Sequence, residues 1–140
     1  MTVEIVEKDL SYQIVQAAYE VFNALGPGFL EGIYEEAMAL VLRKQHQVER
    51  QKSVPVHFQG KQIGTHVLDL VVDKRVILEL KAVAEIAPIH RQQALSYLKA
   101  TGLPLALIIN FGTHRLQVER VVLTKQKESS RISPISRLSR

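Results

Sequence analysis

A chain of 140 residues, 46% hydrophobic and 23% charged, has the material for one core and one domain, not two. It has no cysteine, which excludes disulfides, thiolate zinc sites and iron–sulfur clusters, and is compatible with a cytoplasmic setting. Any metal must therefore be held by carboxylates, carbonyls, imidazoles and water, a ligand set that suits magnesium or manganese. The net charge of +4 is uneven: Lys125, Lys127, Arg131, Arg137 and Arg140 against Glu128 account for all of it, and the rest of the chain is neutral.

The N-terminus shows no basic region followed by an apolar run, so it does not read as a secretory signal. The longest apolar run, Leu103 to Phe111, is about half of the roughly 18 residues a membrane span needs. Ile14, Ala17, Ala18, Val21, Phe22 and Leu25 recur at helical spacing and predict a helix over 10–25, stopped by Gly26 and Pro27. A second helix is expected from about Leu30 to His46. Its apolar stripe runs through Ile33, Ala37, Leu40 and Val41, with Tyr34, Met38 and Leu42 beside it. Acids at Glu31, Glu35 and Glu36 and bases at Arg43 and Lys44 suit its dipole.

The period then changes to two. Val54, Val56 and Phe58 alternate with Pro55 and His57, and Pro55 marks an edge strand or a bulge. A turn at 59–61 leads to strands at about 62–72 and 76–83, joined by Asp73-Lys74-Arg75. Pro88 opens a third helix that ends at Gly102; a buried strand over 104–110, a turn at 112–114 and a last alternating strand close the body near Leu123. The order α-α-β-β-β-α-β-β, with a helix linking two strands, implies an α/β fold: a mixed sheet with one parallel pairing, flanked by helices on both faces. Residues 1–123 read as one domain and 124–140 as a basic, disordered tail able to hold phosphate backbone.

The stretch HVLDLVVDKRVILELKAV carries the chemistry. Asp69 interrupts one apolar strand, and Glu79 and Lys81 interrupt the next; burying them is costly unless they are paired or bind a metal. With a three-residue loop at 73–75, Val72 faces Val76, and three residues further along each strand Asp69 faces Glu79. Leu68, Leu70, Val72, Val76, Leu78 and Leu80 then share one face. Asp69, Glu79 and Lys81 gather on the other, which Val67, Val71 and Ile77 partly cover. Opposed carboxylates stand about 5 Å apart at Cβ and repel unless a cation lies between them. The competing reading is a structural Glu–Lys or Asp–Lys pair on a solvated sheet face.

These residues resemble the PD-(D/E)XK nuclease signature, an acid followed by Glu-x-Lys on the next strand. Gln93-Ala-Leu-Ser-Tyr97 resembles the Q-x-x-x-Y element of the nuclease branch found in recombination helicase–nuclease complexes. Gly28-Phe-Leu-Glu31-Gly-Ile-Tyr34 fits the pattern of the GxxExxY protein family, and YLKATGLPLALIINFG is also similar to that family. The likeness spans roughly residues 8–123. Leu68 stands where the signature's Pro would precede the first acid, and the iron–sulfur branch's cysteines are missing.

The resemblance implies a restriction-endonuclease-like core and Mg²⁺- or Mn²⁺-dependent hydrolysis of DNA, with RNA as a second candidate. Asp69, Glu79 and the carbonyl of Leu80 would hold metal, with Glu31 as a further ligand. Lys81 would assist the attacking water, and Gln93 and Tyr97 would support the site. Glu31 also reads as a carboxylate favoured at a helix N-terminus, Glu35 as its reserve, and Tyr34 as a core residue. His90, Arg91 and Lys99 are candidate nucleic-acid contacts, although charged helix faces are usually only solvated. Two rival readings are a non-catalytic nucleic-acid or protein-binding module on this fold, and a regulatory subunit that needs a protein partner or a homodimer.

Overall fold

The computed structural model describes residues 5–123, so the expectations for the basic tail lie outside the described residues. The elements are α1 (Lys8–Leu25), α2 (Glu31–Leu42), β1 (Val48–Phe58), β2 (Lys61–Val72), β3 (Val76–Lys81), α3 (Pro88–Thr101), β4 (Leu105–Asn110) and β5 (Gln117–Val121). The strands form one five-stranded sheet in the order β1-β2-β3-β4-β5. β3 and β4 pair in parallel, joined by the α3 crossover, and every other pairing is antiparallel. This is the mixed α/β arrangement that the element order implied, consistent with a restriction-endonuclease-like fold. No helix among the described residues is long and apolar enough to cross a membrane.

Each sheet face has its own core. On one, Leu70, Val72, Val76, Leu78 and Leu80 pack under α1 and α2, against Ile14, Ala18, Tyr34 and Met38. On the other, Val71, Ile77, Ala106 and Ile108 pack under α3, against Ala94, Tyr97 and Leu98. β4 is buried at all six positions because helices cover it from both sides, which explains its unbroken apolar run.

Three expectations need correction. First, α2 ends at Leu42 and buries Tyr34, Glu35, Met38, Ala39 and Leu42, while Ile33 and Leu40 are exposed. Tyr34, Met38 and Leu42 are four apart and form the true inward row. Second, the first strand begins at Val48, well before the Val54 alternation; it is the edge strand that Pro55 suggested, and its register shifts at Val56/His57. Third, Leu68 joins the α3-side core rather than that of Leu70. β2 stops pairing with β3 at Leu70, so Leu68 lies where only β1 accompanies it; Gln51, whose φ of 50° is left-handed, skips its partner position Asp69 there.

Tyr34 fixes the loop between the first two helices. Its ring stacks on Phe111 at 4.4 Å. Its hydroxyl donates to the carbonyl of Gly26 at 2.6 Å and accepts the N–H of Phe29 at 3.2 Å. Tyr34→Phe leaves both backbone groups without that partner and is expected to cost about 1–2 kcal/mol. Urea unfolding should show a lower midpoint at unchanged slope, and an unchanged midpoint would contradict this role.

Candidate metal centre

The β2–β3 hairpin has the three-residue loop its sequence suggested. Val72 pairs with Val76, Val71 with Ile77 and Leu70 with Leu78. Asp73 and Lys74 take left-handed φ values of 53° and 55°. The Asp73 carboxylate accepts the Gln47 N–H at 2.9 Å and meets His46 at 2.7 Å, pinning the loop to the connection between α2 and β1. Regular pairing stops at Leu70–Leu78. Beyond it the N–H of Leu80 donates to Oδ2 of Asp69 at 2.8 Å, so a side chain takes the place of a ladder bond. The strands fork at that point, with the two carboxylates facing each other inside the fork.

Glu79 is 3% exposed, and its Oε1 is buried with no hydrogen-bond partner. Its Oε2 lies 3.9 Å from Nζ of Lys81, at the outer limit of an ion pair. Burial and then the charge of Asp69 push the Glu79 carboxyl up to about 8. Asp69 is likewise raised, mainly by burial, with the Leu80 hydrogen bond opposing. Two carboxylates pressed together out of water hold protons unless a cation replaces them. The orphaned Oε1 and an all-oxygen donor set fit a hard divalent cation such as Mg²⁺ or Mn²⁺. Among the described residues no group of three or more His, Cys, Asp or Glu side chains stands together for a metal.

Tyr97 lies against Glu79, and Gln93 against Tyr97. Burial and then Glu79's charge raise the Tyr97 phenol, which keeps it protonated as a donor toward the acids. The structure thus brings together Asp69, Glu79, Lys81, Tyr97 and Gln93. Glu31 is engaged by the backbone next to this group. Its Oε2 accepts the N–H of Ala82 at 3.1 Å, tying the start of α2 to the end of β3.

Two nucleic-acid candidates are engaged elsewhere. His90 caps α3, its Nδ1 accepting the N–H of Ala87 at 2.9 Å. Arg91 is paired with Glu119 on β5 through bonds of 2.6 and 2.8 Å. Lys99 is exposed on α3.

Two further groups support the site: Glu35, read from the sequence only as a reserve for Glu31, and Asn110, which the sequence reading missed. Glu35 is buried and accepts Nε of Arg50 at 2.9 Å and Nε2 of Gln51 at 2.8 Å. Consecutive strand residues normally point to opposite faces; the left-handed Gln51 lets both reach one carboxylate. The charge of Glu35 in turn helps to raise Asp69. Asn110, fully buried at the end of β4, is the other group. Its Oδ1 accepts the N–H groups of Val83 and Gly112, both at 3.0 Å. Its Nδ2 donates to the Val83 carbonyl at 3.0 Å and to Oε1 of Gln117 at 2.8 Å. It fixes the segment leaving Lys81. An asparagine inside the run LALIINF was the available signal, because a buried amide must find partners.

A family model described as the PD-(D/E)XK nuclease superfamily matches residues 8–121. No curated protein matches the chain. A solved structure described as "Crystal structure of SSO0001" superposes with a TM-score of 0.54 at 16% identity, over 86% of this chain and 60% of that one. The chain therefore spans less than two thirds of that protein's length, and the likeness speaks to fold alone.

Proposed function

This chain belongs to the PD-(D/E)XK nuclease superfamily, and from that premise we propose that it is a metal-dependent nuclease cutting DNA phosphodiester bonds at Asp69, Glu79 and Lys81. The observation that carries the reading is the unpartnered, buried Oε1 of Glu79 beside Asp69. Within the superfamily, the Gly28, Glu31 and Tyr34 pattern supports a place in the GxxExxY family.

A bound Mg²⁺ or Mn²⁺ supplies Lewis-acid polarisation of the phosphoryl oxygen and a lowered pKa for water. Asp69 and Glu79, with the carbonyl of Leu80, would hold it. The Leu80 N–H fixes Asp69 for that task. Nζ of Lys81, next to Glu79, orients the attacking water and balances the charge that grows on the phosphate oxygens. The phenol of Tyr97 steadies Glu79, and Gln93 steadies Tyr97. Glu31 contributes by holding the backbone after Lys81 in place.

Residues 1–123 are the working domain in this reading, and the five bases of 124–140 add affinity for phosphate backbone. The neutral body supports a second reading, in which a protein partner or a second copy completes the grip on substrate. The test compares the wild type with Asp69→Ala on labelled single-stranded, duplex and branched DNA, and on RNA, with Mg²⁺, Mn²⁺ or EDTA. Cleavage should require metal and fall on the order of 10³-fold in the variant, the equivalent of several kcal/mol of lost stabilisation. Binding by the wild type without any cleavage would replace the nuclease reading with that of a binding module.

A further inference from the structure

β2 pairs with β3 only through Leu70, Val71 and Val72, whereas β1 and β2 stay paired as far as Phe58 and Lys61. The outer part of β1–β2 is therefore a two-stranded ribbon that runs past the sheet and over α3. Between ribbon and helix lies a cleft of about 450 Å³, lined by Val56, His57, His66, Ser96 and Lys99 among others. The register shifts between Val56 and His57, and both side chains line the cleft, as a bulge allows. Ser96 and Lys99 are three apart on α3 and share its face.

The lining supplies an ammonium, two imidazoles and a hydroxyl, and no carboxylate. Its inner wall is continuous with the acidic centre. The ring of His66 meets Tyr97 edge-on at 4.7 Å, and Tyr97 lies against Glu79. Nε2 of His66 is 3.3 Å from Oγ of Ser96, which holds the ring in that pose. A cavity of this volume is in the range of a single small-molecule site. It has room for one nucleotide and is too small for a duplex. Imidazole faces stack on unpaired bases, and lysine balances phosphate.

We propose that this cleft holds one nucleotide of an unpaired nucleic-acid strand, with Lys99 on its phosphate and the exposed ring of His57 on its base, and so delivers the neighbouring phosphodiester to Asp69 and Glu79. The proposal rests on the nuclease reading for its purpose, but binding at the cleft is measurable without catalysis. The full chain carrying Asp69→Asn, with Mg²⁺ present, is titrated against fluorescein-labelled oligothymidylate and against a blunt hairpin duplex, with anisotropy as the readout. The single strand should bind at least tenfold more tightly than the duplex.

Added Lys99→Glu should weaken single-strand binding about tenfold and reduce the salt slope by about one phosphate contact. Added His57→Ala should weaken it about fivefold with the slope unchanged. Lys44→Glu, on the exposed turn after α2, should change neither beyond twofold. Duplex preference, no binding to the strand, or equal losses from Lys44→Glu and Lys99→Glu would each overturn the cleft assignment. Strand binding that depends on Lys99 in a chain whose wild type never cuts would leave the cleft standing and remove the nuclease reading.

Discussion

Glu79→Gln is expected to raise the melting temperature of the metal-free protein at pH 8 and to lower cleavage on the order of 10³-fold. The Glu79 carboxyl is pushed from 4.5 up to about 8 by burial and by Asp69, and Asp69 is itself raised. Both folded-state values therefore lie above the unfolded ones. The folded protein keeps protons that the unfolded chain has released, so stability falls as pH rises. The contribution is full below about pH 4 and has been lost by the time the pH passes about 8. Glutamine has nearly the same shape and carries no charge to bury. It also relieves Asp69 of a like-charged neighbour.

The wild type without metal should therefore melt lower at pH 8 than at pH 5, and the variant should be flatter across that range. Divalent metal acts in the opposite direction. It binds the folded state only, and more strongly at pH 8, where fewer protons must leave. Mg²⁺ or Mn²⁺ should thus raise the wild-type melting temperature more at pH 8 than at pH 6, and should barely move the variant. This separates a metal centre from a structural Glu79–Lys81 pair. Were the pair structural, Glu79→Gln would leave Lys81 unmatched, lower the melting temperature at pH 8 and show no link to metal. A stability gain paired with loss of activity is the usual mark of a site held in tension for function.

The hairpin that holds this centre could be read from sequence because strand geometry is rigid. A three-residue loop fixes which residues face each other, and the apolar alternation of Leu70, Val72, Val76 and Leu78 fixes the loop. The α3 crossover and the parallel β3–β4 pair followed from element order alone. Features set by a neighbour across space were not legible. Leu68 packs on the α3 side because β2 leaves β3 beyond Leu70, which the hairpin pattern does not encode. Arg91 is held by Glu119, from a strand two elements on. The turned stripe of α2 reflects the ring of Phe111 awaiting Tyr34. The capping bond of His90 to Ala87 is local, but a histidine in the first turn of a helix has several competing uses, so its spacing did not single out this one.

Gly112→Ala should be among the most disruptive single substitutions in the chain, although it adds one carbon. A Cβ at Gly112 would stand 2.4 Å from both the nitrogen and the oxygen of Val83 and 2.6 Å from the carbonyl carbon of Ala82. These are backbone atoms that cannot rotate aside, so one of two chain segments must move. The Val83 segment is tied down by three bonds: Asn110 holds its N–H and its carbonyl, and the N–H of Phe111 donates to the Lys81 carbonyl at 2.8 Å. A cost of about 3 kcal/mol is expected from the overlap, read as a fall in the urea midpoint. Gly32, on the first turn of α2, is the control. An added Cβ there meets nothing within 4 Å, so Gly32→Ala should stabilise by up to about 1 kcal/mol. The consequence reaches the acidic centre, because the displaced segment begins one residue after Lys81 and includes the Ala82 N–H that holds Glu31. At a temperature where the variant is fully folded, its activity per folded molecule should still fall about tenfold, since a displacement near 1 Å can cost 10²-fold. Full activity in a folded Gly112→Ala protein would show that Lys81 does not depend on this packing.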